Sequence, residues 1–79
     1  MPKTRGIKLV VERSPGGLGG WHVAVPGRTA FFYGDQDYAI GEALHMVGVV
    51  GAEAERVTAL MRREFERVRR VEVVAEVTR

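Results

Sequence analysis

Seventy-nine residues, 46% of them hydrophobic and 28% charged, make a single small soluble-type domain rather than a disordered chain. The absence of cysteine excludes disulfide frameworks, thiolate zinc sites and cysteine nucleophiles together. A formal net charge of +2, carried mostly by arginine, is compatible with a nucleic-acid partner but does not single one out.

The basic opening MPKTRGIKLVVER contains an apolar run too short for a signal peptide, and a cytoplasmic setting is expected. Within it, Ile7, Leu9 and Val11 alternate with Lys8, Val10 and Glu12, which predicts a strand covered on one side. The glycine segment PGGLGG follows. No lysine or hydroxyl comes after it, as a P-loop would need, and His22 stands where the third glycine of a dinucleotide fingerprint belongs. It reads as a mobile hairpin loop, and this loop or an exposed sheet edge is where a protein partner would make contact, with Gly17, Leu18, Gly19 and the adjoining Trp21 as the candidate partner-binding residues.

Trp21, Val23 and Val25 share one face of a second strand, with His22 and Ala24 on its reverse. Pro26-Gly27 is a turn, and TAFFY (Thr29 to Tyr33) is a third strand, which makes an antiparallel meander. Asp35 or Asp37 caps the next element, a helix whose apolar side gathers Ile40, Ala43, Leu44, Val47 and Val50. Gly48 and Gly51 kink or break it. A second helical pattern from Ala52 to Arg69 carries Val57, Leu60, Met61, Phe65 and Val68 on one stripe, and VEVVAEV (Val71 to Val77) returns to strand alternation. The expected architecture is α+β, βββα(α)β: a three-stranded antiparallel meander, one long kinked or two consecutive helices, and a C-terminal strand joining the sheet. No repeat or linker divides residues 1–79, and no window approaches the roughly 20 apolar residues of a membrane span.

Catalytic material is sparse. Ser14, the only serine, has no G-x-S-x-G elbow, and Asp35 with Asp37 is explained by capping. His22 and His45 have no spacing that specifies a metal site. A non-enzyme without cofactor or metal is expected. On the second helix Arg56, Arg63, Arg67 and Arg70 fall within about 60° of one another on a helical wheel. Such a rail could follow a nucleic-acid backbone, although interspersed glutamates dilute it. Glu64 projects into the apolar stripe, where pairing with an arginine across a subunit boundary would relieve its burial. Glu64 and Phe65 are therefore the candidate homo-oligomer interface.

The segment GGWHVAVPG…FFYGD ahead of an alanine-bearing helix resembles the HicB-like antitoxin family, a truncated RNase H-like fold. The positions that carry the likeness are Gly20, Val23, Val25, Pro26, Gly34 and Asp35, with Ala43 and Leu44 more loosely, over about residues 6–50. The resemblance implies a non-catalytic domain that oligomerises and masks a protein partner, in the family an RNA-cleaving toxin. Two alternatives stay open: a small nucleic-acid binder using the arginine rail with stacking from Trp21 or Tyr33, and a mobile-element inhibitor of a host protein.

Overall fold

The computed structural model describes residues 4–15 and 19–78. Along the chain run β1 (Thr4–Arg13), β2 (Gly20–Val25), β3 (Arg28–Tyr33), α1 (Gln36–Val47), α2 (Gly51–Phe65) and β4 (Arg70–Thr78). The strands form one antiparallel sheet in the order β3-β2-β1-β4, and both helices pack on the same side of it. The expected α+β meander with a returning C-terminal strand is what the chain adopts.

The sheet's directions decide the number of helices. β3 runs parallel to β1 through β2, whereas β4 pairs antiparallel with β1. A chain that leaves β3 and re-enters the sheet pointing the opposite way must cross it an even number of times. Two helices satisfy this; one long kinked helix does not.

Local chemistry places the break. Asp35 caps α1 by accepting a 2.8 Å hydrogen bond from the Tyr38 backbone N–H. At the other end Gly48 takes φ 73°, and the Val49 N–H donates to the Leu44 carbonyl at 3.0 Å. This six-to-one bond with a left-handed glycine is a Schellman termination, and the buried Val49 side chain supplies its accompanying apolar contact. Val50, expected on the α1 stripe, instead lies beyond the helix and is exposed, because the turn at Gly48 redirects the chain two residues earlier. The second helix is shorter than its periodicity suggests. It ends at Phe65, so Val68 lies outside it, and Val68 is exposed.

Strand alternation sends Leu9, Val11, Trp21, Val23, Val71, Val73 and Ala75 into the core, against Ile40 and Leu44 of α1 and Val57, Met61 and Phe65 of α2. Val11 lies opposite both Val23 and Val71, so one β-branched row crosses the adjacent strands β2, β1 and β4. Trp21 stands at the centre of one end. Its ring meets Phe65 edge-on at 5.3 Å, and its indole N–H donates to the Gly34 carbonyl at 2.9 Å. The Arg13 guanidinium lies 5.2 Å from the ring centroid on another side.

The two α1 glycines should answer oppositely to alanine. Gly48→Ala places a side chain in the left-handed region and should cost about 1 kcal/mol or more. Gly41→Ala, inside α1 with open space around its Cβ, should stabilise by about 0.8–1 kcal/mol. Urea unfolding of the two variants checks both; equal effects would contradict the capping assignment.

Candidate functional site

Among the described residues, nothing forms a second layer on the side of the sheet away from the helices. Alternation turns Lys8, Val10 and Glu12 of β1 to it, with His22 and Ala24 of β2, Thr29, Phe31 and Tyr33 of β3, and Arg70, Glu72, Val74 and Glu76 of β4. Sheet twist bends this face into a shallow concavity of about 580 Å³, floored by Val10 and Ala24 and walled by His22, Phe31, Thr29 and Arg70.

The face has two halves. Toward β3 it is aromatic: His22 meets Phe31 edge-on at 4.7 Å, and Phe31 meets Tyr33 at 4.9 Å. The Phe31 ring lies directly over Gly20, where a Cβ would collide with it. Gly20 is therefore the seat of that ring, and only glycine leaves the space. Toward β4 the face is ionic. Glu72 accepts from Arg70 at 2.8 Å and faces Lys8 at 3.5 Å. The Arg70 hydrogen bond and then the charges of Arg70 and Lys8 hold its carboxyl below the usual range. Among the described residues two cations and three carboxylates share the face, so its field is close to neutral.

The sequence-derived candidates fall elsewhere. Gly17 and Leu18 lie outside the described residues. Gly19, at φ 69°, closes the β2–β3 end by accepting the Gly34 N–H at 2.9 Å. Trp21 is buried, so its indole is a core group rather than a partner-binding or base-stacking surface; its place on the covered side of β2 is the reason. The four arginines do not form one rail. Arg56 and Arg63 lie on α2, Arg67 in the turn after it, and Arg70 on β4, because the helix stops before the wheel is complete. Arg56 is also clamped by Glu53 through two 2.7 Å bonds, and Arg67 by Glu64 through two of 3.0 Å. Glu64 is half-exposed with that partner in its own chain, and Phe65 is spent inside on Trp21. Both side chains are thus engaged within their own chain.

Two features escaped sequence reasoning. Placing Phe31 and Tyr33 beside His22 needs the β2–β3 register, although the reverse-face position of His22 was the available signal. The other lies at the β4 edge. Glu53 reaches from α2 to accept the Glu76 N–H at 2.6 Å, while Arg56 donates to the Val74 carbonyl at 3.3 Å. Arg62 on α2 likewise binds Asp37 on α1 through bonds of 2.9 and 2.8 Å, tying the two helices. Among the described residues no three His, Asp or Glu side chains gather as a metal site. No family model matches the chain, and neither a curated protein nor a solved structure is significantly similar to it.

The hydrogen bond from Arg56, and then that from the Glu76 backbone, lower the Glu53 carboxyl from 4.5 to about 2. A depressed acid stabilises the fold fully above its unfolded value and loses that contribution as pH falls through the folded one. Glu53→Gln should therefore be less stable than the parent near pH 6, with the gap closing between about pH 4.5 and pH 2. Chemical denaturation across that range measures it; a pH-independent gap would mean the carboxylate charge is irrelevant.

Proposed function

We propose that the chain is a non-enzymatic protein-interaction module, of the partner-masking kind implied by its HicB-like resemblance, and that the uncovered sheet face is its binding surface. The observation that carries this reading is the aromatic run His22–Phe31–Tyr33 beside an apolar floor and a charged rim on a face that no helix covers. Protein interfaces favour this combination: an aromatic centre that excludes water, ringed by polar groups that set orientation. A sheet face also presents its side chains on rigid strands, so little ordering entropy opposes binding.

The near-neutral field argues against nucleic acid as the partner. Affinity for a phosphate backbone comes mainly from cations that displace its counterions. Here Arg70 and Lys8 are engaged by Glu72, and Arg56 and Arg67 by glutamates of their own. The three rings could stack on bases, but the described cations at the rim, Lys8 and Arg70, are already paired with Glu72, which weakens the electrostatic half of single-strand binding.

Two measurements test the reading. Ala24→Arg fills the floor of the concavity without entering the core, and tagged parent and variant can be compared in pull-downs from the source lysate. One stoichiometric protein retained by the parent and lost by Ala24→Arg is expected; retention by both would remove this face from the binding surface. In mobility-shift assays at about 50 and 200 mM salt, neither single-stranded RNA nor duplex DNA should bind at micromolar protein. A shift that weakens steeply with salt would overturn the protein-partner reading.

A further inference from the structure

The sheet has two free edges, and they are finished differently. Hydrogen bonding from Arg13 N–H to Arg69 carbonyl sets the phase of the β1–β4 ladder, so residues 71, 73, 75 and 77 bond inward. The backbones of 72, 74 and 76 therefore point off the sheet. On this edge the Glu53–Arg56 pair takes up one donor and one acceptor, the Glu76 N–H and the Val74 carbonyl. The pair presents what a neighbouring strand would present, a carbonyl-like oxygen and an N–H, and so occupies the place of one.

The β3 edge carries no such stopper. The Gly34-to-Gly19 bond sets the phase of the β2–β3 ladder, so Arg28, Ala30 and Phe32 bond inward and the backbones of Thr29, Phe31 and Tyr33 face outward. Among the described residues, no side-chain or loop hydrogen bond reaches those outward groups. The exposed aromatic rings gather at this edge as well: Phe31 at 41% and Tyr33 at 72% on the open face, and Tyr38 at 49%, packed on Phe32 from the helix side. An unpaired edge flanked above and below by exposed rings offers both the main-chain bonds and the side-chain anchors of strand addition.

We propose that the occupant of this edge is a second copy of the chain, its β3 running antiparallel to the first about a two-fold axis at Phe31, and that the Glu53–Arg56 clasp on β4 holds the assembly at two. Three features select a second copy. The outward groups of Thr29, Phe31 and Tyr33 are self-complementary in this register: Phe31 faces its equivalent and Thr29 faces Tyr33, which forms about six main-chain bonds. The register also sets Arg28 of each copy opposite Gly34 of the other, next to Asp35, so opposite charges meet at both ends of the seam. Finally, a chain this small leaves a large share of its surface exposed, and a continuous eight-stranded sheet supplies the missing burial. Closure follows from the clasp, since a free β4 edge would let dimers add to one another without limit.

The test uses the purified chain alone, so it is independent of whatever protein the open face binds. Sedimentation equilibrium over about 1–500 μM should show a monomer–dimer equilibrium and nothing larger. Hydrogen exchange should show the Phe31 and Tyr33 amides protected increasingly as concentration rises. Phe31→Lys sets like charges against each other across the axis and should weaken the dimer at least tenfold. Thr29→Pro removes one outward N–H while leaving the inward ladder intact, and should weaken it without lowering the melting temperature of the monomer. Trp21 fluorescence confirms that each variant is folded. Glu53→Ala/Arg56→Ala should produce species larger than the dimer. A monomer at every concentration, or a dimer that survives both β3 substitutions or leaves the Phe31 amide unprotected, overturns the pairing. A double variant that stays dimeric overturns the role of the clasp.

Discussion

Two helices can cover only one side of a four-stranded sheet, and most of this molecule's character follows from that limit. Both helices lie on one side, so among the described residues the other side carries no layer. The covered side is therefore made as apolar as possible, with no buried polar or charged side chain among the described residues. The open side is a compromise. Val10, Ala24 and Val74 are small or branched, and beside them Lys8 and Arg70 pair with Glu72. Such a face tolerates water, yet loses little when a partner displaces it.

The end of the sheet near Trp21 links the two sides. The indole closes the core against Phe65, and its N–H fixes the carbonyl of Gly34, the residue that ends β3. Gly19 is bound to that same glycine, and its neighbour Gly20 leaves room for the Phe31 ring on the outer face. A buried tryptophan thus sets the path of backbone that aligns an exposed phenylalanine. Stability and the candidate surface depend on the same few residues, so substitutions in this corner will couple the two.

Side-chain pairs at the surface do unequal work. The Arg62–Asp37 and Arg67–Glu64 pairs are exposed, and pairs of that kind add little to stability. Glu53–Arg56 differs because its atoms reach backbone groups of an edge strand. Its importance is in what it prevents, which no count of stabilising contacts would register.

How much of this was readable in advance differs from element to element. β1, β2 and β4 are legible from period-two alternation, down to the inward set Leu9, Val11, Trp21 and Val23, because sheet geometry forces neighbouring side chains to opposite faces; β3 is legible from its aromatic content. The glycines at 48 and 51 mark the helix break, since a left-handed turn there is nearly their exclusive property. The arginine wheel misleads for a physical reason: periodicity continues past Phe65, but the chain must turn to bring β4 back to β1, and tertiary pairing overrides helical spacing. Trp21 carries two signals, an inward place by alternation and a loop-side place beside PGGLGG, and its packing on Phe65 commits it to the core. The sequence alone determined which residues of the strands alternate and where α1 is capped and broken, because these follow from local backbone geometry. Register and edge order, the products of long-range pairing, decided which rings share the open face, which arginines are already spent, and which of two edges remains free.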